Sequence, residues 1–254
     1  MLRPHMLGKV QARRFSAAIS GKLESLASSL PHKDAISYKT TAETGITKWT
    51  FSDVNRYANA FGAGLAESSF SAGDALAAWL PPNSQELLVA QFAADKNGLV
   101  LVEVDPALTD GDALRKILND SSAKGLLFDP TLAGGGAQEV VGAAMPELVP
   151  GRTGYDNQFG AVFRSRAVSS MKLVMHTGMD TLPGVQCLKY MMVYDPAPTA
   201  YPPAGKGAKS APLSVAYSAN GTAAGPVASS EAALGQPSWA NVNAILSKNF
   251  VAIE

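Results

Sequence analysis

The segment YSANGTAAGPVASS, residues 217–230, has the clearest pattern of residue types for holding a ligand. It combines Gly221 and Gly225 with Thr222 and several alanines and serines. Glycines let backbone N–H groups approach phosphate oxygens closely, and a hydroxyl adds another donor. The segment contains neither lysine nor arginine, so no cation within it offsets phosphate charge. The pattern is that of a phosphate-binding loop without its lysine, and by itself it leaves open whether the loop can hold a nucleotide.

The other residues with potential chemistry do not form a set, and we predict no catalytic residue among them. His5, His32 and His176 lack the spacing of metal ligands, so we predict no metal site. His176 follows an apolar run, where a hydrogen-bonded core or turn histidine is commoner than a catalytic base. Cys187 is the only cysteine, and we expect it to be a small buried hydrophobe. The GKGAKS segment, residues 205–210, lacks the glycine that a P-loop places before its lysine.

Length and charge exclude several classes of protein. The 254 residues are enough for one large domain or two small ones, with a substantial core. Lysine plus arginine and aspartate plus glutamate both number 21, so the formal net charge is zero. Nucleic-acid binding needs a basic excess to neutralise phosphates, so we expect no nucleic-acid partner. The sequence has no apolar run of about 18 residues, so we expect no membrane span of its own, although a peripheral position at a membrane stays open.

The N-terminal segment differs in composition from the rest of the chain. It is rich in serine and alanine, and five basic residues precede the first acid: Arg3, Lys9, Arg13, Arg14 and Lys22. This composition is typical of a transit peptide, and RRFS at residues 13–16 resembles a mitochondrial processing site. The alternative is a basic, solvated helix. We predict a mitochondrial targeting segment or N-terminal extension over residues 1–22 and a folded domain over residues 23–254, located in the matrix or on the matrix side of the inner membrane.

Hydrophobic periodicity predicts a hairpin followed by alternating helices and strands. The hairpin pairs residues 34–40 with residues 44–50. The first long helix follows, with Ser52 as its N-cap, and a later helix is capped by Thr109 or Asp110. This alternation is typical of an α/β fold with a largely parallel sheet flanked by helices. The predicted helices cover residues 50–68, 84–98 and 109–123, and the predicted strands cover residues 75–82, 99–106 and 124–130.

The pattern is weaker after Pro130. Residues 131–148 predict a helix interrupted by glycines, and residues 171–178 and 188–196 predict two buried strands. A further strand over residues 213–217 runs directly into the glycine segment. The remaining stretches, residues 151–160 and 197–212, have the composition of loops.

Several ordered motifs resemble one enzyme family. WTFSDVNRYANAFGAGL, residues 49–65, is similar to an early helix of acyl-CoA synthetases, members of the adenylate-forming, AMP-binding superfamily. Residues 71–130 follow that family element by element, with Gly-Asp before a strand, Pro-Asn-Ser-x-Glu, Asp-Pro-x-Leu-Thr and Asp-Ser-x-Ala-Lys. Residues 171–196 are similar to the stretch before its nucleotide loop. The resemblance covers residues 30–230 and implies a truncated acyl-CoA synthetase N-terminal domain.

The resemblance also implies that the nucleotide loop is degenerate. The family pattern is approximately Ser-Gly-Thr-Thr-Gly-x-Pro-Lys-Gly, and here alanines replace its second hydroxyl and second glycine while valine replaces its lysine. Lysine supplies positive charge against ATP, and valine supplies none. We therefore expect no cofactor at this loop. Its remnant consists of Ser218, Gly221, Thr222, Ala224, Pro226 and Val227.

The resemblance further implies a pseudoenzyme. The sequence stops at Glu254, so the family's adenine-stacking segment, magnesium-binding glutamate, ribose-binding aspartate and C-terminal catalytic lysine have no counterpart in it. Adenylation needs bound Mg²⁺ and clustered cations. We expect a catalytically inactive accessory subunit of a large mitochondrial assembly, such as ATP synthase or a respiratory complex, with other subunits as partners. The alternative is a protein that binds an acyl group or nucleotide, or a residual synthetase completed by a partner chain.

Overall fold

The computed structural model describes residues 19–39, 46–148, 164–180, 182, 184–192 and 212–253. The predictions for residues 1–18 and 151–160, and almost all of the predicted loop at 197–212, lie outside these residues. The helices are α1 (Ser20–Ser29), α2 (Phe51–Glu67), α3 (Gln85–Asn97), α4 (Gly111–Asp120), α5 (Ala137–Ala144), α6 (Leu188–Met192), α7 (Ser230–Leu234) and α8 (Ala240–Leu246). The strands are β1 (Asp34–Lys39), β2 (Ile46–Thr50), β3 (Ala75–Trp79), β4 (Val100–Val104), β5 (Ala123–Phe128), β6 (Leu173–His176), β7 (Gln186–Cys187), β8 (Ser214–Tyr217) and β9 (Val251–Ile253).

A six-stranded parallel sheet forms the centre of the fold, in the order β7-β6-β5-β3-β4-β8. Its strands are apolar on both faces because helices cover both: every residue of β3 is buried. The core on one face includes Phe61 and Phe92, and the core on the other includes Trp79 and Phe128. The α/β class with a parallel sheet flanked by helices is confirmed.

A second sheet has three strands in the order β2-β1-β9. The predicted hairpin is confirmed, because β1 pairs antiparallel with β2. On its other side β1 pairs parallel with β9, and Ile36 lies opposite Val251. This pairing joins elements that are far apart in the sequence.

The N-cap of helix α2 lies two residues earlier than the sequence suggests. The predicted N-cap, Ser52, is wrong: Thr50 is the N-cap, and its hydroxyl accepts the Asp53 N–H at 3.2 Å. The Asp53 carboxylate accepts the Thr50 N–H at 3.0 Å in return, which completes a capping box. Aspartate in place of the usual glutamate hides this signal in the sequence. Of the two predicted caps of α4, Asp110 is the N-cap, and the helix predicted to begin at Ser84 begins at Gln85 with Ser84 as its N-cap.

The strand predicted over residues 188–196 is wrong within the part that the structure describes. Only Gln186–Cys187 is a strand, β7, and Leu188–Met192 forms helix α6. Leu188, Met191 and Met192 are buried, which is the i, i+3, i+4 spacing of one helix face rather than strand alternation. The Met191 side chain lies against Gly64 of α2, where an added Cβ would come within 2.5 Å of its methyl carbon.

Helix α1 is fixed to α3 by polar contacts. The Ser20 N–H donates to the Asp95 carboxylate at 2.9 Å, and the largely buried Lys96 ammonium group bonds Glu24 at 2.8 Å. Burial lowers the pKa of Lys96. The predicted division between residues 22 and 23 falls inside α1, and that division stays a prediction. No helix of the described ranges is sufficiently long and apolar to cross a membrane.

The capping box gives a direct test of the α2 boundary. Thr50→Val removes the capping hydroxyl at nearly constant shape, so we expect the free energy of unfolding to fall by about 1 kcal/mol. Ser52→Ala is the matched control and should change it little, since Ser52 is exposed and does not cap. Urea unfolding measures both values. A loss for Ser52→Ala equal to that for Thr50→Val would contradict this assignment.

Candidate functional site

The candidate site lies where β3, β4 and β8 reach their carboxyl ends, the edge at which parallel α/β sheets generally bind ligands. Pairing in register places Ala78 beside Glu103 and Glu103 beside Ala216, so these side chains share one face of the sheet. The predicted glycine segment follows β8 directly. The sheet therefore brings the loop remnant to the expected edge.

The tip of this loop satisfies its own hydrogen bonds. The Gly221 N–H donates to the Ser218 carbonyl at 2.9 Å, and the Thr222 N–H donates to the Asn220 side-chain oxygen at 3.1 Å. The Ser218 hydroxyl donates to the same Asn220 oxygen at 2.6 Å. Gly221 has a φ of +75°, which its missing side chain allows. The tip is a closed turn rather than an open ring of donors.

The rest of the loop returns along β8 and covers the free edge of that strand. The Ala224 N–H donates to the Ala216 carbonyl at 2.7 Å, and the Val227 N–H donates to the Ser214 carbonyl at 2.8 Å. Antiparallel bridges join Val227 to Ser214 and Ala223 to Tyr217. This edge of the sheet is therefore covered by the chain's own backbone.

Helix α4 holds the tip from the side. The Lys116 ammonium group donates to the Gly221 carbonyl at 2.8 Å and to the Asp120 carboxylate at 2.9 Å. Gly221 also lies against the start of that helix, where an added Cβ would be 3.5 Å from the Ala113 carbonyl oxygen. Lys116 therefore bonds the loop backbone from α4. It does not replace the lysine that the family resemblance leads us to expect at the position of Val227.

The structure brings the six remnant residues into one loop but gives them different surroundings. Gly221 is buried and Val227 is half-buried. The other four are exposed: Ser218, Thr222, Ala224 and Pro226. Ser218, Thr222 and Ala224 also line a groove beside the loop, whereas Gly221, Pro226 and Val227 do not.

The groove has a volume of about 500 Å³ and is lined mainly by apolar side chains. Its charged lining residues are Glu103 and Asp105, and no lysine, arginine or histidine is among the described residues that line it. Burial raises the pKa of Tyr217, which keeps its phenol neutral. The full lining is Ala78, Leu80, Pro82, Leu87, Glu103, Val104, Asp105, Pro106, Ala216, Tyr217, Ser218, Thr222, Ala223, Ala224 and Ser238.

Ser238, the central residue of the short 3-10 turn Pro237–Trp239, lines one side of the groove. The fully buried Trp239 donates its indole N–H to the Glu103 carboxylate at 2.6 Å, and Gln91 of α3 donates to the Ser238 carbonyl at 2.8 Å. Sequence reasoning missed Glu103, Asp105 and this turn. A glutamate inside the apolar run of β4 was the available signal, because a charge there needs a partner.

His176 lies away from the groove, at the end of β6. It is 1% exposed, as a core histidine should be, but neither ring nitrogen has a hydrogen-bond partner among the described residues, so the predicted hydrogen bond is absent there. Burial lowers its pKa; the Asp180 charge opposes this effect and Lys189 adds to it. Cys187, opposite His176 in β7, is buried as predicted, and its thiol donates to the Gly178 carbonyl at 3.1 Å.

Two further carboxylates with shifted pKa values lie in the first turns of helices. Glu86 lies in the first turn of α3, and burial raises its pKa. Asp53 belongs to the capping box of α2, and although burial acts to raise its pKa, hydrogen bonds from Thr50 lower it overall. The described residues contain no group of three or more His, Cys, Asp or Glu side chains that could hold a metal ion.

Two comparisons place this fold among known proteins. The family model described as AMP-binding enzyme matches residues 23–172, which end before the glycine loop. The fatty acyl CoA synthetase of Mycobacterium tuberculosis has a TM-score of 0.53 and 20% identity, over 78% of this chain and 32% of that chain. The acetoacetyl-CoA synthetase from Streptomyces lividans has a TM-score of 0.57 and 17% identity, over 78% of this chain and 28% of that synthetase.

An anthranilate CoA ligase, solved with anthranoyl-AMP, has a TM-score of 0.56 and 16% identity, over 78% of this chain and 32% of that ligase. At these identities the likeness concerns the fold alone. The chain spans about a third of the length of these relatives. No curated protein sequence matches it.

The unpartnered histidine predicts a pH dependence of stability. Because burial lowers its pKa from 6.5, the unfolded chain binds the proton more readily, and the stability that neutral His176 contributes is present above pH 6.5 and lost as the pH falls below it. We expect His176→Leu to reduce this loss between about pH 7.5 and pH 5.5. The exposed His32→Gln is the control. Urea unfolding at each pH measures the slopes, and equal slopes for wild type and His176→Leu would refute the assignment.

Proposed function

This chain belongs to the AMP-binding enzyme family, and we propose that it is a catalytically inactive, acyl-CoA-synthetase-like accessory subunit of a large mitochondrial assembly. The observation that carries the proposal is the closed hydrogen bonding of the loop after β8. Backbone N–H groups of this loop donate to acceptors within the loop or on β8, and the groove beside the loop is lined by two carboxylates.

Phosphate binding by a loop requires N–H groups that point at the ligand. Here the N–H groups of Gly221, Thr222, Ala224 and Val227 all donate to acceptors within the loop or on β8. Presenting them to a nucleotide would break the pairing that covers the edge of β8. The loop therefore favours its closed form over phosphate binding.

The carboxylates that line the groove also disfavour phosphate binding. Glu103 and Asp105 carry formal negative charge, and Val227 adds no cation. Catalysis of adenylate formation depends on positive groups that stabilise the charge developing on phosphate oxygens. A nucleotide phosphate in this groove would meet charges of its own sign, so the described part of the chain supports neither ATP binding nor catalysis.

The mitochondrial part of the proposal is supported by composition. The basic, serine-rich and acid-poor segment over residues 1–22 is typical of targeting peptides, and a cut at residues 13–16 would leave α1 intact on α3. The zero net charge favours a protein assembly over a ribosome, whose RNA demands a basic surface. We propose an inner-membrane energy complex, such as ATP synthase or a respiratory complex, as the host, with its other subunits as partners.

One observation favours a second candidate function, a small-molecule binding protein. The groove has about 500 Å³ and mostly apolar walls, within the range of small-molecule sites. This candidate includes acyl ligands, and also a residual synthetase completed by a partner chain. The two candidates differ in whether the chain works alone or inside an assembly.

Nucleotide binding tests the inactive state. We expect no Mg²⁺-dependent ATP binding by the wild-type chain in titration calorimetry, and none after Ala224→Gly and Val227→Lys are combined, since the closed loop and the two carboxylates remain. An active acyl-CoA synthetase measured under the same conditions is the positive control. Wild-type binding tighter than about 1 mM, the upper end of ordinary KM values, would overturn the proposal.

Native mass tests the assembly. We expect the protein, solubilised gently from mitochondria, to migrate with other subunits in a complex of many hundred kilodaltons, because an accessory subunit is held by large interfaces. Native electrophoresis followed by mass spectrometry of the band identifies the co-migrating proteins. Migration as a free monomer or small dimer would refute the accessory role and favour the small-molecule candidate.

A further inference from the structure

The groove beside β8 combines apolar walls with two carboxylates. Its floor is the row Ala78, Glu103 and Ala216, and Leu80 and Leu87 stand on the side of α3. Apolar walls with a few fixed polar groups are the usual composition of small-molecule sites. The polar groups fix which ligands are accepted.

Both charged groups in this lining are carboxylates with fixed positions. The Glu103 carboxylate is held by the Trp239 indole N–H at 2.6 Å, and the Asp105 carboxylate accepts the Ala107 N–H at 2.9 Å. Neither contact brings a cation. Lys116, the basic side chain that contacts the loop, is bonded to the Gly221 carbonyl and to Asp120. Among the described residues of the lining, therefore, no cation is paired with either carboxylate.

We propose that this groove binds a small aliphatic amine, with the alkyl chain against the apolar walls and the ammonium group at Glu103 and Asp105. An ammonium group donates three hydrogen bonds and complements carboxylates, whereas an acyl carboxylate or a phosphate meets like charge. The inference concerns the ligand class of this groove and does not depend on the host assembly of the chain.

Three probes with one carbon skeleton and different charges test the proposal: hexylammonium, hexanol and hexanoate. The readout is the indole ¹H–¹⁵N signal of Trp239 in the full chain, because its N–H donates directly to Glu103. Trp239→Phe assigns this signal. The indole signal of Trp49, which lies in β2 away from the groove, reports unchanged folding.

We expect hexylammonium to shift the Trp239 signal saturably and to bind at least about tenfold more tightly than hexanoate, the difference that one charge-assisted hydrogen bond provides. Glu103→Gln keeps an oxygen acceptor for Trp239 but removes the charge, and should weaken hexylammonium binding about tenfold. Asp105→Asn should also weaken hexylammonium binding, and it replaces Glu103→Gln in the test if that variant fails to fold. Asp112→Asn removes an exposed carboxylate that does not line the groove, and should change nothing.

Equal binding of the three probes would overturn the proposal, because the groove would then be merely apolar. Absence of binding by all three, or hexylammonium binding unchanged by both Glu103→Gln and Asp105→Asn, would overturn it as well. None of these outcomes bears on the native mass of the protein, so this inference and the accessory-subunit proposal fail independently.

Discussion

The double pairing of β8 is the contact on which the candidate site depends. On one side the strand pairs with β4, which continues the parallel sheet, and on the other it pairs with its own returning loop. A bare strand edge presents unpaired N–H and C=O groups that invite association with other strands. The loop removes that hazard by using its own backbone donors. The same hydrogen bonds hold the loop against β8. Covering the strand edge and binding a phosphate therefore require the same backbone N–H groups.

The sequence predicts the central sheet well because its signals are local. A fully apolar run that ends at a proline predicts a buried strand, and Ser84 or Asp110 marks the start of a helix. Such signals suffice because the environment of each element is uniform along its length. It predicts α6 wrongly because five residues contain too few turns to separate helical from strand periodicity. The groove was beyond sequence reasoning for another reason: the Glu103–Trp239 bond joins residues far apart in the chain, and only the folded sheet brings them together.

The fold and the site carry different information about function. The match over residues 23–172 and the likeness to acyl-CoA synthetases concern the sheet and its helices. The chemistry of a site depends on a few side chains that a fold can exchange at little cost. Here the family match ends before the glycine loop, and the described lining of the groove contains two carboxylates and no cation. The fold alone therefore does not say which ligand this groove accepts.

The parallel pairing of β1 with β9 has a consequence for synthesis on the ribosome. Ile36 leaves the ribosome roughly 200 residues before Val251, which corresponds to roughly 10 to 40 s at ordinary elongation rates. During that interval the edge of β1 that later pairs with β9 is open, and contacts of such long range are slow to close. The small sheet is therefore completed only after Val251 has left the ribosome, long after its first two strands.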